Sequence, residues 1–400
     1  MKSNNDNNVL TLYLSGRIDA NSSAEKEAEI SEVLAKNPGL IPAFDASQLE
    51  YISSAGLRVL LKFRKQFGKN IDILNVSSEV YDIFEVTGFT ELLNVRKRLR
   101  EVSTEGCPVI GEGHFSTVYR LDTETIIKVF NKIPITLEKI QHDQKTAREA
   151  FLLGIPTAIS YDVVKSGGHY GIVYEMVNAD TMNGTISKHP ELRDELYRKA
   201  GTLLRQLHHT EFKPGILPDI MTDWRGTITT MQEHGIISAA EAASLNRMLD
   251  RIPSRNTFIH YDFHGSNILV QDNELVLIDV GDASLGYPAV DLACVYFFAE
   301  LLPPVLALAG KTLQDIMSVP VEVMAAYWRG MTSAYFGTTD PAKLKGYYEA
   351  VRPYGAFRAL NAQVNSALTG NKFDKMMPVI QKSLDLVMEL QDSLQPIDII

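Results

Sequence analysis

The residues best suited to chemistry lie in one segment of the sequence, FIHYDFHGSNILV followed by LVLIDVGD. Within it, Asp262 is followed by Asn267 after five positions and by Asp279 after a further twelve. Phosphoryl transfer needs such groups in fixed places: a carboxylate that accepts the proton of the attacking hydroxyl, and hard oxygen ligands that hold Mg²⁺ against the phosphates. The ordered set therefore predicts Asp262 as catalytic base and Asn267 and Asp279 as magnesium ligands. Any one of these residues alone could simply cap a loop.

Residues that could bind the nucleotide phosphates lie upstream of this segment. Gly111 and Gly113 stand between two predicted strands, where glycines let a hairpin cover phosphates with its backbone N–H groups. Ser116 occupies the third position of that glycine pattern. Lys128, in the strand-like TIIKVF, could reach the phosphates, and Glu149, in the helical AREAF, could pair with its ammonium. Taken singly, Lys128 and Glu149 would be surface charges, but their order before Asp262 favours the phosphate clamp.

The adenine and acceptor sites are less marked in the sequence. In IVYEMV, the Glu175 carbonyl and the Val177 amide could bind adenine where two lobes join, although an ordinary buried strand fits the same residues. The acceptor should bind in the helical region, near residues 180–235 and the C-terminal helices. Four side chains are candidates there, and for each a structural role is the alternative: Asp219, Asp223, Trp224 and Glu300.

The surrounding elements predict how these residues are positioned. Over residues 1–103, strands alternate with helices, which indicates a small α/β domain. Leu40 to Phe44 is a short apolar run, and Asp45 is expected to open a loop after it. Residues 104–178 are rich in strands and residues 179–400 are mainly helical. The fold class expected is therefore an α+β multidomain protein, with a bilobal second part made of a β-rich lobe and a helical lobe.

Composition narrows the classes of partner and location. The chain of 400 residues carries a formal net charge of −10, which disfavours nucleic acid and weakly favours a cationic substrate. No apolar run approaches the roughly 18–20 residues of a membrane span, and the polar start does not resemble a signal peptide, so a cytoplasmic protein without membrane contact is expected. Cys107 and Cys294 lie far apart, without the spacing of a metal site or a disulfide framework.

Residues 104–400 resemble the aminoglycoside phosphotransferase and choline kinase-like superfamily. HYDFHGSNIL is similar to the catalytic loop of that family, and LIDVGDASLGYPAVDLA to its metal-binding segment. The resemblance implies a protein-kinase-like fold, ATP and Mg²⁺ as cofactors, and the roles assigned above to Asp262, Asn267, Asp279, Lys128 and Glu149. It also implies structural roles for His260 and Asp291. His264 follows the D-x-H pattern that is common in the family; histidine is also a metal-ligand type, but a hydrogen-bonding role is favoured. Asp282 has no counterpart in the family pattern, and a solvated turn is expected there.

Residues 1–103 resemble the STAS domain of anti-sigma-factor antagonists. LSGRIDANSS is similar to its first strand and turn, and DASQLEYISSAGLRVLL to its phosphorylation loop and helix. The resemblance implies a protein partner and places Ser54 at the phosphorylated position, where a phosphate would face a helix N-terminus. Ser53 stands where members of the family often have Asp. The alternative is that Ser53 and Ser54 only cap the helix that follows.

Three functions are compatible with these patterns. The first is an ATP- and magnesium-dependent phosphotransferase that acts on a hydroxyl of a small molecule, with the STAS-like part as a regulatory or interaction module. The second is a nucleotide-sensing interaction protein with little or no kinase activity. The third is transfer to a protein hydroxyl, such as Ser54 of another copy. It ranks below the first because the sequence has no obvious D-F-G and A-P-E activation segment.

Overall fold

The computed structural model describes residues 3–6, 9–67, 71–113, 115–308, 310–317, 321–370 and 373–397. The chain divides into two compact units, Met1–Val102 and Ser103–Ile400. The boundary expected from the sequence, after residue 103, lies one residue further along the chain. Each unit has its own hydrophobic core.

The first unit is a mixed sheet covered by helices. Strand β2 forms an antiparallel pair with β1, and β2, β3, β4 and β5 run parallel in that spatial order. The elements are β1 (Ser3–Asp6), β2 (Val9–Ile18), α1 (Ser23–Lys36), β3 (Ile41–Ile52), α2 (Ser54–Phe67), β4 (Asp72–Val76), α3 (Ser78–Val86), β5 (Asn94–Lys97) and β6 (Arg100–Glu101).

In the first unit, the buried residues of strand β2 recur at every second position. Leu10, Leu12 and Leu14 alternate along β2 and are fully buried, as expected for a strand with one face on the core. The prediction that Asp45 opens a loop is wrong, since β3 continues to Ile52. The strand tolerates this polar residue because the Asp45 carboxylate accepts hydrogen bonds from Asn75 and from the backbone of Ser47.

The first part of the second unit is an antiparallel sheet with one helix. Its strands lie in the order β10, β11, β9, β8 and β7. The elements are β7 (Val109–Glu112), β8 (Thr117–Arg120), β9 (Thr125–Val129), α4 (Leu137–Leu152), β10 (Ser160–Ser166) and β11 (His169–Glu175). Thr136 caps α4, because its side chain accepts the backbone N–H of Lys139.

The rest of the second unit is helical around two small sheets. Strands β12, β14 and β15 form one sheet, and β13 pairs with β16 in the other. The elements are β12 (Asp180–Thr181), α5 (Met182–Lys188), α6 (Arg193–His209), α7 (Ile220–Glu233), α8 (Ala239–Leu249), β13 (Thr257–Ile259), β14 (Ile268–Gln271), β15 (Glu274–Leu277), β16 (Ser284–Gly286), α9 (Ala289–Tyr296), α10 (Leu302–Leu308), α11 (Leu313–Met317), α12 (Val321–Phe336), α13 (Pro341–Gly370) and α14 (Phe373–Leu390). A single π-helical turn, Phe297–Leu301, joins α9 to α10. Among the described residues, no helix is both long and apolar enough to cross a bilayer.

Two glycines allow α6 and α12 to pack closely. A Cβ atom on Gly201 would lie 2.0 Å from the carbonyl oxygen of Met331, and one on Gly330 would lie 2.8 Å from Cβ of Tyr197. The obstacle at Gly201 is backbone, which cannot rotate out of the way as a side chain can. This contact therefore depends on the absence of a side chain at residue 201.

We predict that Gly201→Ala lowers the free energy of unfolding of the second unit by about 2–3 kcal/mol, the usual cost of overpacking. Gly226, exposed in α7 with no atom near its Cβ position, is the matched control. Gly226→Ala should be neutral or stabilising by about 0.5–1 kcal/mol, since alanine favours the helix. Denaturant titration followed by tryptophan fluorescence tests this in one unit, because Trp224 and Trp328 are the two tryptophans of the chain. Equal stability of the two variants would contradict the prediction.

Candidate active site

A buried carboxylate holds the loop between β13 and β14. Asp291, in the first turn of α9, accepts the backbone N–H groups of His260 at 2.8 Å and Tyr261 at 2.6 Å. The ring of His208 lies 3.3 Å from the same carboxylate. Tyr261 has a φ of +69°, a left-handed conformation that is costly for a bulky residue. The two hydrogen bonds to Asp291 stabilise this turn and thereby place the next residue, Asp262.

The carboxylate of Asp262 is held by three donors and remains 39% exposed. Arg358 Nη2 lies 3.0 Å from Oδ1, while Asn267 Nδ2 lies 2.9 Å and His264 Nε2 lies 3.2 Å from Oδ2. Burial acts to raise the pKa of Asp262, but His264 and Arg358 outweigh it and hold the pKa well below the usual range of an aspartate. The predicted base is therefore an ionised, partly accessible carboxylate.

The two histidines of the loop act through hydrogen bonds. His264 Nδ1 accepts the backbone N–H of Ser266 at 3.2 Å, so in the neutral ring Nε2 carries the proton and donates a hydrogen bond to Asp262. His260 is fully buried; its Nδ1 accepts the Asp262 N–H at 3.3 Å and its Nε2 donates to the Ile278 carbonyl at 3.1 Å. Both rings thus orient the loop, as the sequence led us to expect.

The β14–β15 hairpin brings the two predicted magnesium ligands to neighbouring positions. The Ile278 N–H donates to the Asn267 carbonyl at 3.0 Å, so Asp279 follows directly after a residue paired with Asn267. The side-chain amide of Asn267 donates through Nδ2 to Asp262, which leaves Oδ1 on the opposite side of the amide group. Asp279 has a φ of +60°, and such strain in a non-glycine residue is often found at functional sites.

Lys128 pairs with Asp279, which corrects the prediction that it pairs with Glu149. Its Nζ lies 2.6 Å from Asp279 Oδ1. This charge is the main reason why the pKa of Asp279 is lowered, while burial and the nearby Asp262 carboxylate oppose it. The residue of α4 that interacts with Lys128 is Asp143, because the charge of Lys128 acts to lower the pKa of Asp143. Glu149 lies six residues further along the helix and so on a different side of it.

A second ion cluster connects α4 with the turn after Asp279. Lys139 Nζ lies 2.7 Å from both Asp143 Oδ1 and Asp282 Oδ1. Burial raises the pKa of Asp143 to about 7, against the pull of Lys139. Asp282 is exposed, as expected for a solvated turn, but it is also ion-paired. Lys139 and Asp143 were missed because neither belongs to a motif, although their spacing of four on a helix predicts a pair.

The glycine-rich hairpin is formed between β7 and β8. The Gly113 N–H donates to the Ser116 carbonyl at 2.9 Å, which closes the turn. A Cβ atom on Gly111 would be in ordinary contact with Val118, at 3.6 Å. The Ser116 side chain is buried, so a third glycine is replaced here by a packed residue. The role of Gly111, Gly113 and Ser116 in binding phosphates stays a prediction.

The segment predicted to bind adenine follows β11. Both the N–H and the side chain of Glu175 are bonded to the backbone of Ile159: the N–H donates at 3.0 Å and Oε1 accepts at 2.9 Å. The Val177 carbonyl accepts the N–H of Ala179 at 2.9 Å. The Glu175 side chain thus has a structural role, and adenine binding by the Glu175 carbonyl and the Val177 amide remains a prediction.

Three of the four acceptor candidates have structural roles. Asp219 caps α7 by accepting a backbone N–H. Trp224 is fully buried and its Nε1 donates to the Tyr261 hydroxyl at 3.2 Å, so it cannot stack on a solvent-borne cation. Glu300 accepts the Tyr348 hydroxyl at 2.8 Å.

Asp223 is the candidate that is linked to the loop through Asn361. Its Oδ2 accepts from Asn361 Nδ2 at 2.8 Å, and Asn361 also accepts the Tyr261 hydroxyl at 2.7 Å. Burial and the charge of Asp282 raise the pKa of Asp223. Asn361 and Arg358 come from α13, and the sequence reasoning missed both. A signal for Arg358 was present: a charge inside the apolar run PYGAFRAL needs a buried partner.

Within the described residues, no three His, Cys, Asp or Glu side chains are arranged to hold a metal ion. Mg²⁺ does not require such a cluster, because it keeps several waters and binds through one or two carboxylates together with substrate phosphates. The Asn267 amide oxygen and the Asp279 carboxylate are hard oxygen donors from one hairpin. These residues therefore fit a magnesium ion of that kind.

The fold and this arrangement of residues define a kinase-like phosphotransferase. Residues 106–318 match the phosphotransferase enzyme family, and residues 1–102 match the STAS domain. The chain therefore belongs to the phosphotransferase enzyme family and carries an N-terminal STAS domain. Both resemblances inferred from the sequence are confirmed, as is the fold class.

Three proteins illustrate the similarity. An anti-sigma-B factor antagonist of Listeria monocytogenes is 26% identical over 94 residues, which cover 23% of this chain and 82% of the relative. A choline/ethanolamine kinase family protein from Mesorhizobium loti has a structure similar to 72% of this chain and 88% of its own, at 14% identity and a TM-score of 0.44. The GDP complex of wild-type aminoglycoside 2′-phosphotransferase-IIIa covers 78% of this chain and 97% of its own, at 14% identity and a TM-score of 0.41.

The raised pKa of Asp143 predicts how stability depends on pH. The folded protein keeps a proton on Asp143 that the unfolded chain releases above the ordinary aspartate pKa, about 3.9. This contribution to stability is complete below that pKa and is lost as the pH rises through about 7. Asp143→Asn should therefore flatten the decline in stability between about pH 4 and pH 7, measured by tryptophan fluorescence. Asp272→Asn, in an exposed turn, should keep the wild-type slope, and identical slopes in all three proteins would contradict the prediction.

Proposed function

We propose that this protein transfers the γ-phosphoryl group of ATP to a hydroxyl of a small molecule, in a reaction that requires Mg²⁺. The observation that carries the proposal is the state of Asp262: a partly exposed carboxylate kept ionised by Arg358, Asn267 and His264. A carboxylate with fixed orientation is what an acceptor hydroxyl needs beside it. Membership of the phosphotransferase family supports the reaction class.

The low pKa of Asp262 makes it a weak base, which suits this chemistry. Phosphoryl transfer passes through a loose transition state in most analyses, so the acceptor hydroxyl need not lose its proton early. Asp262 would accept a hydrogen bond from the hydroxyl, align its oxygen with the phosphorus, and take the proton as the new bond forms. The three donors on Asp262 keep its carboxylate from rotating during this step.

Asn267 and Asp279 would hold the magnesium ion, which when bound neutralises charge on the phosphates. The ammonium of Lys128, now 2.6 Å from Asp279, would bind a phosphate oxygen. The hairpin of Gly111, Gly113 and Ser116 would cover the phosphates with its backbone N–H groups. Asp143 is better placed than Glu149 to balance the charge of Lys128 once the nucleotide is bound.

We predict that the wild-type protein transfers phosphate from Mg-ATP to at least one compound in a panel of amino alcohols, aminoglycosides and sugars. Asp262→Asn should lower kcat by about 100-fold or more, the usual contribution of a general base, because the amide cannot accept the proton. Nucleotide affinity should be preserved, since Asp262 would lie beside the acceptor and not beside the nucleotide. Phosphorylated product measured by mass spectrometry, with ATP and GTP as donors, tests this.

Asp272→Asn is the matched control, since Asp272 sits in the exposed β14–β15 turn with a φ of +48° that Asn also adopts. It should retain full activity, and EDTA should abolish the activity of every variant. Full turnover by Asp262→Asn would contradict the proposal. Tight binding of Mg-ATP by the wild type without transfer to any acceptor would instead support the nucleotide-sensing alternative.

We further propose that the STAS domain binds a protein partner under the control of phosphate on Ser54. Ser54 is exposed at the first position of α2, while the preceding Ser53 caps the helix through its side chain. Division of the two roles leaves the Ser54 hydroxyl accessible to a kinase. The N–H groups of the first helical turn would stabilise the added phosphate.

Phosphopeptide mapping of the protein isolated from its own cells should find phosphate on Ser54. Ser78 is a matched control, because it is also exposed and is the first residue of its helix, α3. We expect no phosphate on Ser78. An unmodified Ser54 under all growth conditions, and after incubation of the purified protein with Mg-ATP, would reject this assignment.

A further inference from the structure

Arg358 is a buried cation with contacts to the catalytic loop. Its side chain comes from α13, and the residue is 5% exposed. Nε and Nη2 donate to the Tyr261 carbonyl at 3.1 and 2.7 Å, and Nη2 also donates to Asp262 Oδ1 at 3.0 Å. One planar guanidinium thus binds the backbone before Asp262 and the carboxylate of Asp262 itself. A lysine could not make this fork of hydrogen bonds.

Aromatic rings enclose the guanidinium of Arg358. Its central carbon lies 4.4 Å from the ring centroid of Phe297, 5.0 Å from that of Tyr261 and 5.5 Å from that of Phe298. These are cation–π distances, and the attraction is strongest where water is excluded. Phe298 also meets the His264 ring edge to face at 4.8 Å. Phe297 and Phe298 therefore both pack against Arg358, and Phe298 also packs against His264. Arg358 and His264 are two of the side chains that donate to Asp262.

The two phenylalanines belong to the π-helical turn, Phe297–Leu301. The Leu302 N–H donates to the Phe297 carbonyl, five residues back, so the helix is wider here than an α-helix. π-turns are rare and are found frequently at functional sites. An extra residue in a turn changes the direction of the side chains around it. In this turn, Phe297 and Phe298 point towards Arg358 and His264 and pack against them.

The backbone of Tyr261 explains why such support is needed. Its left-handed conformation persists only if the surroundings fix it from several sides. Asp291 binds its N–H, Asn361 accepts its hydroxyl, and Arg358 binds its carbonyl. The Tyr261 carbonyl belongs to the peptide group that joins Tyr261 to Asp262, so Arg358 is the residue that fixes this peptide group.

We propose that Arg358, supported by Phe297 and Phe298, is a positioning residue that fixes the Asp262 carboxylate for phosphoryl transfer. This inference rests on the proposed function, because it takes Asp262 as the base. Within the described part of the chain, the hydrogen bonds and ring contacts of Arg358 are to Tyr261, Asp262, Phe297 and Phe298, and none of them involves Lys128, where the nucleotide phosphates would bind. Loss of Arg358 should therefore affect the rate of transfer and leave nucleotide binding unchanged.

The test compares Arg358→Met and Arg358→Lys with the wild type. We expect kcat to fall about 100-fold in Arg358→Met, as for a misplaced reacting group, and less in Arg358→Lys. The dissociation constant for a fluorescent ADP analogue should stay within about 2-fold of the wild-type value. Guanidinium ion added to Arg358→Ala should raise kcat, which a purely structural role would not predict. Arg352→Met is the matched control, since Arg352 lies on the same helix, near the Tyr296 ring, and should keep full activity.

Hydrogen exchange provides a measurement that does not require turnover. Amides in residues 260–267 should exchange faster in Arg358→Met, and to a smaller extent in Phe297→Leu, while the core of α6 stays protected. Absence of transfer by the wild type would remove the proposed function, and exchange would still decide whether Arg358 holds the loop. Normal kcat in Arg358→Met with an active wild type, or unchanged exchange in the loop, would overturn the role of Arg358 alone.

Discussion

The carboxylate of Asp291 is the constraint on which the site depends. It is 1% exposed, and a buried charge is costly unless it is hydrogen-bonded. Its oxygens accept two consecutive backbone N–H groups, those of His260 and Tyr261, and this pairing restricts the course of the chain at the loop. The left-handed turn at Tyr261 follows from it, and the turn aims Asp262 away from the core. Loss of the Asp291 carboxylate would therefore displace Asp262 without changing Asp262 itself.

Each cation of the site lies beside at least one carboxylate. Lys128 neutralises Asp279, Lys139 lies between Asp143 and Asp282, and Arg358 compensates Asp262. Under the proposed function, a triphosphate with its metal would bring both signs of charge, so that binding would exchange ion-pair partners. Lys128 would then bind a phosphate, and Asp279 would be one of the residues that hold the metal. Such an exchange would keep the electrostatic cost of binding low, because few charges would be desolvated alone.

The sequence predicted the parts of the site whose order along the chain is diagnostic. Asp262, Asn267 and Asp279 lie in one short segment, so their spacing already implies a loop and a hairpin. Contacts between segments that lie far apart in the chain could not be predicted from the sequence. Glu149 was assigned to Lys128 and Asp143 was missed, because the phase of a helix relative to a strand depends on tertiary packing. Arg358 was missed because it lies 96 positions from its partner. In the first unit, Asp45 suggested the end of a strand, since the distant Asn75 that satisfies it could not be foreseen.

Arg358 also lies outside residues 106–318, the segment that matches the family. A fragment trimmed to that segment would retain the glycine hairpin, Lys128, Asp262 and Asp279, and yet lack the cation that pairs with Asp262. Under the proposed function, helix α13 belongs to the catalytic unit, and the smallest active fragment would have to extend through it. A truncation designed from the motifs alone would therefore remove a helix whose arginine contacts Asp262.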